Sequence, residues 1–184
     1  MILPSMIFKV VTAGDGDVGK TTMLQVYVEG KFSFDTKMTI GSDIFHKKLT
    51  IKEGNTVSLQ LWDFGGQKRF RFLLDKFVKG ASGAFLMYDL TSQDSFNNLP
   101  EWVSIIRKFD PNIPILLLGS KYDLKDSIKV DNENALEFVE EFKLSGFYKT
   151  SSKTGYNINE VFEILTHLMI DYKGLAAVNK SIQI

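Results

Sequence analysis

Apolar and polar positions alternate along this chain in two rhythms. Short, largely apolar runs at 6–12, 43–52, 56–62, 83–89, 113–119 and 146–149 are predicted as strands. Longer stretches with apolar residues at helical spacing, at 19–28, 68–79, 94–108, 131–142 and 157–172, are predicted as helices. Glu53-Gly54-Asn55 separates the second and third runs and signals a hairpin. The runs at 83–89 and 113–119 are apolar almost throughout, the pattern of strands covered on both faces and hence of a parallel sheet between helices. The expected fold is α/β and doubly wound. It has a mostly parallel six-stranded sheet, one antiparallel edge strand and helices on both faces. Ligands of such folds sit outside the carboxyl ends of the strands.

The most telling polar stretch lies between the first strand and the first helix. Gly14-Asp15-Gly16-Asp17-Val18-Gly19-Lys20-Thr21 fits G-x-x-x-x-G-K-[ST] at every fixed position. The expected reasons are physical. Gly14, Gly16 and Gly19 free the backbone to turn its N–H groups toward a polyphosphate. Lys20 reaches the β and γ phosphates, and the Thr21 hydroxyl ligates Mg²⁺. Asp15, Asp17, Val18 and Thr22 complete the loop and the first helical turn, whose N-terminus favours anions. The acidic Asp15 and Asp17 are slightly unfavourable there unless solvated.

Three further stretches follow strand ends. Leu61-Trp62-Asp63-Phe64-Gly65-Gly66-Gln67 closes an apolar strand on a carboxylate, a common second Mg²⁺ contact. Gly66 offers a backbone N–H to a γ-phosphate, and Gln67 is positioned to orient a water. In Gly119-Ser120-Lys121-Tyr122-Asp123, the Asp123 carboxylate can accept the paired N1–H and 2-amino donors of guanine, a pair that adenine lacks. The stem of Lys121 can lie along the base. In Thr150-Ser151-Ser152-Lys153, the Ser152 N–H can donate to guanine O6.

Composition narrows the classes. A length of 184 residues favours a single domain over 1–184, with a core at about 6–172 and a short tail at 173–184. Lys and Arg balance Asp and Glu at 22 each, so no basic excess points to nucleic acid. With no Cys, this stretch offers no disulfide or thiol catalysis, and no intrinsic prenyl, palmitoyl or, with Ile2, N-myristoyl anchor is expected. No apolar run approaches a membrane span, and the expected location is the cytoplasm. Most of the 15 Phe fall at core spacing, and His46 and His167 are isolated and expected to be structural.

Taken together these motifs resemble the Ras superfamily of small GTPases, over residues 6 to about 172. Thr39-Ile40-Gly41 is similar to the Rab-type T-I-G, and Trp62 to Gln67 to W-D-x-A-G-Q. Gly119 to Asp123 resembles G-N-K-x-D, and Thr150 to Lys153 resembles T-S-A-K. The resemblance implies a GTP-binding switch with slow Mg²⁺-dependent hydrolysis, cycling between GTP and GDP. By it, Thr39 would join Thr21 and Asp63 on Mg²⁺ only when GTP is bound, Phe32 would stack on the guanine edge, and Gln67 would place the water. It also implies effectors, exchange factors and GTPase-activating proteins acting on a monomer. Ile44, Trp62 and Phe77 fall where Rab-like proteins carry an apolar effector triad. Gly65 gives the D-x-G-G-Q form of Arf and Gα proteins. Ser120 replaces the family's Asn, which ties the base loop to the phosphate loop. Arg69 and Arg71 are better placed on a solvated helix face than as a finger in cis. The alternative is an interaction module that binds nucleotide with little hydrolysis; an ATPase is disfavoured by Asp123.

Overall fold

The computed structural model describes residues 6–34, 39, 41–51, 56–65 and 74–182, with side chains described as far as residue 174. Six strands form one sheet in the order β2-β3-β1-β4-β5-β6. They are β1 (Met6–Ala13), β2 (Ser42–Thr50), β3 (Thr56–Phe64), β4 (Gly83–Asp89), β5 (Ile115–Ser120) and β6 (Gly146–Lys149). β2 runs antiparallel to β3 at one edge, and every other pairing is parallel. The helices are α1 (Lys20–Glu29), α2 (Leu74–Val78), α3 (Gln93–Asn97), α4 (Leu99–Ile106), α5 (Asn132–Glu141) and α6 (Ile158–Ile182).

All residues of β4 and β5 are buried, as their unbroken apolar runs require. Two cores result. On one face Leu99, Trp102, Val103 and Ile106 of α4, with Ala135 and Phe138 of α5, pack on Leu86, Tyr88 and Leu117. On the other face Met23 and Leu24 of α1, with Phe162 and Leu165 of α6, pack on Phe85, Met87 and Leu118. Tyr27 stacks on Phe162 with ring centroids 3.6 Å apart, fixing α1 to α6. Because the central strands are clamped on both sides, the loops at their carboxyl ends start from fixed points.

Most element ends differ from the sequence expectation by a residue or two, and three larger differences have a local cause. The helix expected over 94–108 is two helices meeting at Asn98. Pro100 stands at the start of α4; it lacks the N–H that a continuous helix would direct at the carbonyl of Phe96. β5 begins at Ile115 rather than 113, because Pro114 again has no N–H for the ladder. α6 runs past 172 to Ile182, since Gly174 weakens a helix without stopping it. The expected turn at 53–55 and the part of the expected helix at 68–73 lie outside the described residues. No helix among the described residues is long and apolar enough to cross a membrane.

Candidate functional site

The loop joining β1 to α1 is shaped by two glycines. Gly14 has φ 142°, and a Cβ there would collide with the carbonyl of Met87 on β4. Gly19 caps α1 at φ 92°, a left-handed conformation that a side chain resists. Gly16 has open space around it and no such φ. The remaining left-handed residue is Asp17, at φ 62°, a conformation its short polar side chain tolerates. Within the protein itself the left-handed turn next to Gly16 is made by Asp17.

Lys20 opens α1 and is only 6% exposed. Its Nζ donates to the carbonyl of Gly14 at 2.9 Å and to that of Asp15 at 2.6 Å. An ammonium has three protons, so one remains for the adjoining cavity. Burial lowers its pKa to about 8, against the raising influence of Asp63, Asp15 and Asp17. A buried cation with carbonyl partners and a spare proton suits an anionic ligand.

Three oxygen-bearing side chains meet beside it. The Thr21 hydroxyl is 2.7 Å from that of Thr39 and donates to Asp63 Oδ2; Thr39 Oγ1 lies 3.2 Å from the same oxygen. Asp63 is fully buried, and burial raises its pKa while the Thr21 hydrogen bond, the Lys20 charge and the Thr39 hydrogen bond lower it. Two hydroxyls and a carboxylate form a hard-oxygen donor set, and it fits a small divalent cation that keeps water and phosphate as its other ligands. Thr39 approaches this closely because Gly65 carries no Cβ. A Cβ there would lie 2.6 Å from the Thr39 carbonyl oxygen, and the Gly65 N–H donates to the Gly41 carbonyl at 3.0 Å.

The cavity running from this cluster has a volume of about 490 Å³, in the range of a small-molecule site. Gly16, Asp17, Val18, Gly19, Lys20, Thr21 and Thr22 line it from the β1–α1 loop and the start of α1, with Thr39. Phe32, Ser120, Lys121, Asp123, Ser152 and Lys153 line it as well. Gly14, Asp15 and Ser151 stand behind this lining. The Ser151 hydroxyl donates to Asp123 Oδ1 at 2.6 Å, so it aims the carboxylate from behind. Lys121, at φ 61°, pairs with Asp89 at 2.7 Å. Burial pushes the Asp89 carboxyl up, but hydrogen bonds from Lys121 and Thr91 hold it below the ordinary carboxylate value. Backbone bonds from Thr150 N–H to the Gly119 carbonyl (2.8 Å) and from Tyr122 N–H to the Thr150 carbonyl (3.0 Å) lock the two loops together.

Gly66, Gln67, Arg69 and Arg71 lie outside the described residues. Ile44, 45% exposed, pairs across the ladder with Trp62, and the rings of Trp62 and Phe77 are 5.9 Å apart. The three residues expected as a partner patch are thus contiguous. Sequence reasoning missed Phe34, which lines the cavity with its ring edge-on to Phe32 at 4.8 Å. Its signal was the aromatic spacing in Phe32-Ser33-Phe34. It also missed Asn98 and Trp102, which hold Asp15; no local pattern announces them.

A glycine-shaped loop, a buried lysine at a helix N-terminus, a hard-oxygen cluster and the adjoining cavity define a P-loop nucleotide-binding protein. Residues 9–171 match the Ras family model. The chain is 35% identical over 179 residues to the Ras-related protein RABA1c of Arabidopsis thaliana, covering 95% of this chain and 82% of the relative. It is 38% identical over 175 residues to the Ras-related protein Rab11D of Nicotiana tabacum, covering 93% and 78%. It is 38% identical over 160 residues to the GTP-binding protein ypt4 of Schizosaccharomyces pombe, covering 85% and 68%. The chain belongs to the Ras family, on its Rab-like side. It is a GTP-binding switch that hydrolyses GTP, with GTP or GDP and Mg²⁺ as its ligands.

Proposed function

We propose that the chain acts as one domain, a cytoplasmic monomer whose signalling state is set by the residues around this cavity. Lys20 and the N–H groups of Gly14 to Thr22 hold the phosphates. Thr21, Thr39 and Asp63 hold the cation. A Mg²⁺ held by these three side chains would supply charge neutralisation for the phosphates. Phe32 covers the base edge. Asp123 accepts the two guanine donors, Ser152 meets O6, and Lys121 and Lys153 flank the base. The observation that carries this reading is the convergence of Thr21, Thr39 and Asp63 beside Lys20 at a cavity that Asp123 also lines.

In this reading Gln67 orients the attacking water and the Gly66 N–H holds the γ-phosphate, in the D-x-G-G-Q form set by Gly65. Phosphoryl transfer needs position and charge neutralisation more than covalent chemistry, and with Arg69 and Arg71 read as solvated helix-face residues the chain turns over slowly alone. Partners read the nucleotide state on Ile44, Trp62 and Phe77, with exchange factors and activators acting on the segments that carry Thr39 and Gln67. Single-turnover GTP hydrolysis tests the catalytic assignment. Gln67→Leu is expected to leave GTP binding intact and slow hydrolysis at least ~10-fold, a loss of ~1.4 kcal/mol of transition-state stabilisation. Equal rates would assign the water to another group.

A further inference from the structure

Of the two acidic residues in the phosphate loop, Asp17 lines the cavity and Asp15 does not. Asp15 Oδ2 accepts from Asn98 Nδ2 at 2.6 Å, and Asp15 Oδ1 accepts from Trp102 Nε1 at 2.8 Å. Both carboxylate oxygens are thus engaged by neutral donors from the junction of α3 with α4 and from α4 itself. Those donors are firmly placed. Trp102 is 1% exposed in the core beneath the sheet, and Asn98 is the residue at which the two helices meet, its N–H bonded to the Asp94 carbonyl at 3.2 Å. The backbone of the same Asp15 then does something else: its carbonyl accepts from Lys20 Nζ at 2.6 Å.

We infer that Asn98 and Trp102 are positioning residues for Lys20, acting through Asp15. Their two hydrogen bonds fix the Asp15 side chain, and with it the peptide that aims the lysine ammonium. They also turn a negative charge away from the place where phosphates would lie. Charge-assisted bonds to a carboxylate are the strong ones, and a rigid helix gives them a fixed origin. The loop's aim is therefore set from α4, far along the chain, as well as by its own glycines. The inference rests on the assignment of Lys20 to the phosphates.

The test is a double-mutant cycle on GDP affinity with Mg²⁺ present, read by competition against a fluorescent GDP analogue. Trp102→Phe removes the indole N–H and keeps a large ring in the core. Asn98→Ala removes the other donor at a half-buried site, and serves where the core variant folds poorly; thermal melting of both variants reports that. Each is expected to weaken GDP roughly three- to tenfold in the wild-type background, a part of what one charge-assisted bond contributes. In a Lys20→Ala background the same substitutions are expected to change GDP affinity by less than about twofold, because the group they aim is gone. A purely structural role would weaken binding equally in both backgrounds, and that result, or no effect in the wild type, overturns the inference. Lys20→Ala alone separates the two failures. If it leaves GDP affinity unchanged, the phosphate assignment of Lys20 is what has failed.

Discussion

The hydroxyl oxygen of Ser120 lies 2.7 Å from the carbonyl oxygen of Val18 and 2.9 Å from that of Tyr88. Ser120 ends β5, Val18 is in the phosphate loop and Tyr88 is on β4, so one side chain, 5% exposed, joins three segments of the site. The tie expected of an Asn at this position is made here by a hydroxyl. It joins the loop that carries Asp123 to the loop that carries Lys20. Ser120→Ala deletes it and removes the one proton that these two carbonyls share. GDP affinity is expected to fall about fivefold, or about 1 kcal/mol, in isothermal titration. Unchanged affinity would mean that the backbone bonds from Thr150 and Tyr122 hold the base loop without it.

Much of this site was legible because its chemistry is local in sequence. The phosphate loop reads from spacing alone, and the bounds of β4 and β6 match expectation because turn signals bracket short runs. What stayed hidden depends on distance. Asp15 appeared as an electrostatic cost because its partners stand 83 and 87 residues away. The break at Asn98 was written in Pro100, but Leu99, Trp102, Val103 and Ile106 keep a helical apolar stripe that masks it. The support that the Ser151 hydroxyl gives Asp123 spans 28 residues and has no local pattern to announce it.

Gly65 touches the segment that carries Thr39. A Cβ built there would lie 2.6 Å from the Thr39 carbonyl oxygen, so backbone must shift to admit it. Gly65→Ala is expected to push Thr39 away from Thr21 and Asp63. Thr39 is the donor implied to engage only with triphosphate present, so the loss falls on GTP. GTP affinity relative to GDP is expected to drop about tenfold, or about 1.4 kcal/mol. Parallel titrations of a non-hydrolysable GTP analogue and GDP check this, and equal losses on both would contradict it.

Asp123 presents one carboxylate to the cavity, aimed by Ser151 at 2.6 Å. A carboxylate accepts both guanine donors through charge-assisted bonds. Asp123→Asn replaces one acceptor with a donor. Preference is expected to move from GDP toward xanthosine diphosphate, whose edge offers a matching acceptor. Competition between the two diphosphates measures the shift. An unchanged preference would remove Asp123 from base selection.

Lys20 makes nucleotide affinity depend on pH. Burial lowers its pKa in the nucleotide-free protein to about 8, from an ordinary value of 10.5. Below about pH 8 the ammonium is charged in folded and unfolded chains alike, and its burial works fully against folding. Between about pH 8 and pH 10.5 the unfolded chain holds a proton that the folded chain has released. Stability of the nucleotide-free protein therefore gains from this group as pH rises through that window. Binding has the opposite sign, because phosphate favours the ammonium. Near pH 7 the lysine is already charged and binding takes up little proton through it. At pH 9 binding must recharge it, so affinity for GDP is expected to fall by up to about tenfold per pH unit as pH climbs beyond about 8. Isothermal titration at pH 9 in buffers of different ionisation enthalpy should show uptake approaching one proton. Lys20→Ala should abolish that uptake, and proton release at pH 9 in the wild-type protein would contradict a lowered lysine pKa.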